Sequence, residues 1–473
     1  MVRSDGLEVN FLKQRAHTLS RALFFRLDEY VEDFPTGEPL HLINLFKRVA
    51  VETDETIEST SDINRLVLIG QTLAELSNYA MSLLDHANTA QTPRGLAQML
   101  WELQERIFPG SVIFVTPLAD YNYTIGNHYP SLKNALRSKL IPAATWDEIS
   151  KRYATGFSVV RFPRIERENI LLHTVFGHEF GHPIAAAFLS EERESDDYRT
   201  ELAKRQNLIS EEFATELSQE ADPLRRLKLH AELSNAVTVL RQRGLEELIS
   251  DVVAAMLFGV SALFATAEIL VPEGLDFAPQ KPEFYPPSRL RLRVICNVLD
   301  NSGHLDALRQ TTALVDSVNI VAAANTYVES LQTIVGMDSD QQAIQQDPLV
   351  RIAYEWLDQT LDRAKYFAED RIRSISYDLK RVEEELSESI QRICLGVPPS
   401  ETGTFPNVAK VDWRTALVAG WVYKIHLRDS ESISWDARQS AIADAQARAL
   451  KGVEDSLLRG AYLLSFVDAL ADH

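Results

Sequence analysis

The stretch His173-Thr174-Val175-Phe176-Gly177-His178-Glu179-Phe180-Gly181-His182-Pro183 lies in a chain of 473 residues, and the rest is read outward from it. Its core is His178-Glu179-x-x-His182. Apolar residues flank that core at helical spacing: Val175, Phe176, Phe180 and Ile184, then Ala185 to Leu189. They predict a buried helix. Four residues of α-helix turn through about 400°, so the two imidazoles share one face within reach of one ion. Glu179 projects about 100° away, where it can address a water on that ion without ligating it. Two buried histidines need partners, and a cation supplies one. Two imidazoles, a third ligand and an open position for water make the geometry of a catalytic zinc site.

Gly177 and Gly181 support burial from another direction. Each costs about 1 kcal/mol relative to alanine inside a helix, so the pair predicts close approach of another element beside the metal face. Pro183 cannot donate to the carbonyl of Glu179, so the helix is expected to kink or loosen after His182. His173, five residues before His178, falls about 140° off the metal face and is read as structural.

The third ligand separates the zinc-hydrolase classes. A metzincin needs a glycine three residues and a histidine six residues beyond His182; Ala185 and Phe188 stand there. A glutamate on a second helix with an aspartate one turn later is the alternative, and Glu247-Leu248-Ile249-Ser250-Asp251 has that spacing. Glu247 can then reach the metal while Asp251, on the same face, accepts the distal N–H of a liganding histidine and fixes its tautomer. Two rivals are weaker. Glu246 pairs by spacing with Ser250 rather than Asp251. Glu192-x-x-x-Asp196 lies only ten residues past His182, in a polar run that predicts exposure.

Working outward, residues 1 to 105 read as helices. Val112-Ile113-Phe114-Val115 reads as a buried strand and Asp120 to Pro130 as a Tyr- and Asn-rich loop. Phe157 to Phe162 reads as a second strand, expected to offer an edge where an extended peptide docks along Ser158 to Arg161. The charged run Glu191 to Arg243, broken at Asp222-Pro223, reads as an inserted helical hairpin. Val252 to Val271 is long and apolar enough to span a bilayer. It carries Ser261, Thr266 and Glu268 and has no flanking anchors, so a buried central helix is the better reading. Pro272 to Ser288 is an irregular, Pro-rich connection. From Pro348 to Leu395 one long helix is expected, with Ile372, Ile375, Leu379, Val382, Leu386, Ile390 and Ile393 stepping by three and four. That stripe reads as an internal packing face, with an oligomer through this C-terminal helix as the alternative.

The fold class expected is mainly α, with a short β-sheet in an α+β core. The divisions are an N-terminal helical region (1–105), a catalytic domain (106–305, insert 191–243) and a C-terminal helical domain (306–473). Lys plus Arg number 48 against 68 Asp plus Glu, a net charge of −20, which disfavours nucleic acid and anionic lipid as partners. Two cysteines, Cys296 and Cys394, make neither a disulfide framework nor a cysteine-rich metal site. The first fifteen residues lack the apolar core of a signal peptide, and the expected location is the cytoplasm.

His-Glu-x-x-His followed by Glu-x-x-x-Asp resembles the pattern of the gluzincin metallopeptidases. The later Tyr285-Pro286-Pro287-Ser288-Arg289-Leu290-Arg291 is similar to the His-Pro-x-x-x-x-Arg stretch of the branch that holds the CAAX-prenyl proteases and heat-shock membrane proteases. The resemblance covers about residues 155 to 300. The chain departs from that branch in lacking membrane spans, in having Tyr285 where the relatives have His, and in its Glu191–Arg243 insert.

The resemblance implies a zincin core holding Zn²⁺ through His178, His182 and Glu247, with Asp251 behind them. It implies Glu179 as the base that takes a proton from the attacking water and passes it to the leaving amine. For the oxyanion donor it offers Tyr285 and Arg291; the polar loop offers Tyr121, Tyr123 and His128. The function expected is a soluble zinc-dependent endopeptidase acting on a protein or peptide, with a single dedicated target as one form of it, and with neither nucleic acid nor membrane as partner. The alternative is a non-catalytic helical scaffold or regulatory protein with a structural or vestigial zinc site.

Overall fold

The computed structural model describes residues 4–33, 37–87, 91–127, 147–148, 150–151, 156–280, 284–403, 408–430 and 433–471. The fold is mainly α with small sheets, and the chain divides into two compact units, Met1–Arg167 and Glu168–His473.

The first unit contains α1 (Ser4–Asp33), α2 (Gly37–Ser59), α3 (Ile63–Ala87), α4 (Arg94–Ile107), β1 (Val112–Leu118), β2 (Thr124–Asn127) and β3 (Phe157–Pro163). Leu27, Phe46, Ile69 and Leu76 from the helices form one buried cluster with Phe114 and Phe157 from the sheet. The strand order is β1-β3-β2, parallel between β1 and β3 and antiparallel between β2 and β3. This corrects the expected docking edge. Ser158 to Arg161 is paired on one side with Ile113 to Thr116 and on the other with Thr124 to Asn127, so β3 is central. With both backbone edges engaged, it cannot accept an added strand.

The second unit opens with a 3₁₀ turn, Leu172–Val175, leading into α5 (Phe176–Arg193). The charged run is helical, as α6 (Asp196–Glu212), α7 (Ala214–Gln219) and the first half of α8 (Pro223–Phe258). Asp222 caps α8 by accepting from the amide of Leu224, and Pro223 supplies the fixed φ of the first turn. The apolar run beginning at Val252 is divided at Gly259, whose φ of 57° ends α8 before α9 (Val260–Glu273). A Cβ at Gly259 would also lie 2.8 Å from the Tyr377 ring. Among the described residues no helix is long and apolar enough to cross a membrane.

Beyond the Pro-rich connection come α10 (Ser288–Asn301), α11 (His304–Gln310), α12 (Val321–Val335), α13 (Ser339–Gln346) and α14 (Pro348–Ile372). Then follow α15 (Leu379–Cys394), α16 (Trp413–Asp429) and α17 (Trp435–Ala471); one small two-stranded sheet lies between α11 and α12 and another between α15 and α16. The expected single helix from Pro348 to Leu395 is two helices. Its break lies at Tyr377, whose amide donates to the carbonyl of Met256 and whose buried hydroxyl meets Thr415. Asp378 then caps the new helix at the amide of Lys380. Ile372, Ile375, Val382, Leu386, Ile390 and Ile393 are all buried in this unit, so the apolar stripe packs against the chain's own core. Cys296 and Cys394 are free.

Candidate metal centre

Helices α5 and α8 build the site, and glycines let them meet. A Cβ on Gly177 would lie 2.8 Å from the Ala254 Cα, and one on Gly181 only 2.4 Å from the Ser250 Cα. The two glycines therefore supply the close approach that their helical cost predicted. α5 runs on through Pro183 to Arg193 as one helix.

His178, Glu179 and His182 each offer a ligand atom, and the three atoms lie within 4.8 Å of one another. The imidazoles stand edge to face with centroids 4.8 Å apart. From α8, Glu247 brings its Oε2 to 3.2 Å from the Nε2 of His178. On the other side of that ring, Nδ1 is 2.8 Å from Asp251 Oδ1. Donating Nδ1–H to a buried carboxylate leaves Nε2 as the lone-pair nitrogen, the tautomer that a metal-binding histidine requires. The donor set of two imidazoles and acidic oxygens fits a zinc ion.

A second pair on α8, offset by one residue, serves the other histidine. Ser250 Oγ lies 3.4 Å and Glu246 Oε1 3.5 Å from Nδ1 of His182. Spacing alone had set Glu246 aside because it pairs with Ser250. That pairing was itself the signal, since residues 246 and 250 lie one step round the helix from 247 and 251. His182 beside it holds the Glu246 carboxyl below its ordinary value.

Arg291, in the first turn of α10, lies half-buried behind these groups. Its Nε and Nη2 grip the two oxygens of Asp251 at 2.8 and 2.9 Å, and Nη1 lies 3.2 Å from Glu247 Oε2. The fork of the guanidinium is thus committed to the carboxylates that support and flank His178. Tyr285 is exposed, yet near enough for its phenol to act electrostatically on Arg291.

Charge balance sets the ionisation of this cluster. Burial raises the Asp251 carboxyl, but Arg291 and His178 outweigh it and hold it well below the usual carboxylate range. Burial likewise works against charge on Glu247, and His178 and Arg291 keep it low. For His178, burial lowers the pKa, while the Asp251 carboxylate more than offsets it and the imidazole is pushed up to about 9. Without a cation, the ring is an imidazolium between two carboxylates.

The other candidates stand elsewhere. His173 is fully buried in the 3₁₀ turn before α5 and is not part of the ligand cluster. Tyr121 donates to Glu166 and Tyr123 is buried, both within the first unit. His128 lies outside the described residues. Glu192 is a correction: it is buried rather than exposed, accepting from Arg241 Nη2 at 2.6 Å and from Arg363. Its partners lie on α8 and α14, and they give the polar run a buried anchor.

No protein family, curated protein or solved structure matches the chain.

Proposed function

We propose that the protein is a zinc-dependent endopeptidase in which His178, His182 and Glu247 bind the ion and Glu179 is the general base. One observation carries this reading. Glu247 and Asp251, from a helix remote in sequence, meet opposite nitrogens of His178, whose ligand atom lies within 4.8 Å of those of Glu179 and His182. Zinc bound there supplies Lewis acidity towards a peptide carbonyl and brings a bound water towards neutral acidity. Glu179 takes the proton of the attacking water and passes it to the leaving amine. Asp251 keeps the proton of His178 on Nδ1, and Arg291 holds Asp251 in place. A structural zinc site has no need of a base beside its ligands, which favours the enzyme over the scaffold.

The test is zinc content and peptide hydrolysis, measured on the same preparations. The parent protein should hold one zinc per chain, and His178→Ala should lose it. Glu179→Gln should keep the zinc and lose hydrolysis of an unfolded protein substrate. Its trapped complexes, analysed by mass spectrometry, would then identify the natural target. If Glu179→Gln cleaves as well as the parent, the catalytic reading fails.

A further inference from the structure

Glu192 follows His182 on α5 by about 15 Å of helix and lines a separate cavity. That cavity, of about 350 Å³, lies between α6 and α14. The rings of Tyr198 and Trp356, with centroids 5.3 Å apart, form part of its wall. Glu192 is 6% exposed, and its carboxylate is used on one side only. Oε1 accepts from Arg241 and Arg363, while Oε2 has no hydrogen-bond partner among the described residues. A buried carboxylate oxygen is costly to leave unpaired, so one that borders a cavity calls for a donor. Arg363 lines the same cavity with its side chain 49% exposed, and among the described residues it makes no ion pair except that with Glu192. Lys204 and Glu201, also in the lining, neutralise each other at 2.5 Å.

An acid and a base thus touch each other at the cavity, each with capacity to spare: an acceptor oxygen on Glu192 and N–H donors on Arg363. A free α-amino acid is their complement, because its ammonium and its carboxylate hang from one carbon atom. We infer that this cavity binds a free α-amino acid with an apolar side chain. The ammonium donates to Glu192 Oε2, the carboxylate accepts from Arg363, and the side chain lies against Tyr198. A plain amine would leave Arg363 unmatched and add a positive charge beside it and Arg241. A plain carboxylate would leave Oε2 unpaired and be repelled by it. The zwitterion adds no net charge to a balanced set, Glu192, Asp197 and Glu201 against Lys204, Arg363 and the buried Arg241. The inference needs no metal ion and stands apart from the zinc reading.

The experiment is calorimetric titration of the full-length protein with L-leucine and L-phenylalanine, and with the amide and the N-acetyl derivative of each. At least one of the two free amino acids should bind. Blocking either of its ends should weaken it about 10–100-fold, the worth of one charge-assisted contact. Arg363→Gln, at an exposed position, should weaken the free amino acid by a similar factor. Glu192→Gln is the poorer variant, since Glu192 also holds the buried Arg241. The derivatives need no variant, so they carry the test whatever Arg363→Gln does to the fold. The inference is overturned if neither free amino acid binds at millimolar concentration. An amide that binds as tightly as its parent amino acid overturns it in favour of an amine site, and an equally tight N-acetyl derivative in favour of an anion site. A folded Arg363→Gln protein with undiminished affinity overturns it too.

Discussion

Gly181 and Ser250 pack with their backbones touching: a Cβ on the glycine would sit 2.4 Å from the serine Cα. Neither backbone can yield alone, because α5 and α8 are both continuous helices there. Gly181→Ala should therefore push the helices apart and destabilise the fold by about 2 kcal/mol or more, a fall of roughly 5 °C in Tm. Gly70→Ala provides the opposite case. It lies within α3 with nothing inside 4 Å of its added Cβ, so it should be neutral or stabilise by up to about 1 kcal/mol. Thermal unfolding of the two variants checks this; Gly181→Ala melting with the parent would refute the close-packing argument.

The pairing of His178 with Asp251 predicts a pH dependence with a defined sign. The imidazole pKa rises from 6.5 to about 9 in the metal-free protein, so its charged form stabilises the fold. That contribution is complete below about pH 6.5 and is lost as the pH rises through 9. Zinc binding reverses the preference, because the ion takes the nitrogen that held the proton. Calorimetric zinc titrations in buffers of different ionisation enthalpy should show about one proton released per ion from His178 at pH 7. Affinity should then climb about tenfold per pH unit towards pH 9. A pH-independent zinc affinity between 6 and 8 would contradict the assignment.

Much of the site was legible because helical periodicity fixes direction. His178 and His182 at i, i+4, and Glu247 and Asp251 at i, i+4, can each face only one way once a helix is assumed, and the cost of Gly177 and Gly181 demanded a close neighbour. What stayed hidden depends on remote partners. The burial of Glu192 requires Arg241 and Arg363, 49 and 171 residues further on. The break at Tyr377 requires Met256 and Thr415. The central position of β3 depends on Thr124 to Asn127, a four-residue strand with Gly126 inside it that shows no apolar alternation.

Glu192 at the end of α5 and Glu247 within α8 are both buried acids, but their surroundings separate their roles. Glu192 is the counter-charge of Arg241, which is fully buried and stacked on Trp356 at 4.2 Å. Glu192→Gln leaves that guanidinium without an anion and should destabilise the fold by about 3–5 kcal/mol while zinc stoichiometry is unchanged. Glu247→Gln should do the reverse to zinc, removing or strongly weakening it. Denaturant unfolding together with zinc analysis on the two variants distinguishes them, and zinc loss in a folded Glu192→Gln protein would show that the ion lies elsewhere.

Arg291 provides the sharpest test of how the site is organised. If it acts only by gripping Asp251, Arg291→Lys keeps the charge but loses the two-pronged bond, and zinc affinity should fall by about 10–100-fold. At saturating zinc the hydrolysis rate should then stay within about threefold of the parent. A residue that donates directly to the developing oxyanion behaves differently, with kcat falling about 10²–10³-fold even when every site is loaded. The bidentate contacts at 2.8 and 2.9 Å, made from a half-buried position, favour the first outcome. Measuring zinc affinity and kcat separately on the same variant decides between them. A large kcat loss at full zinc occupancy would move Arg291 from support of the ligands to contact with the substrate.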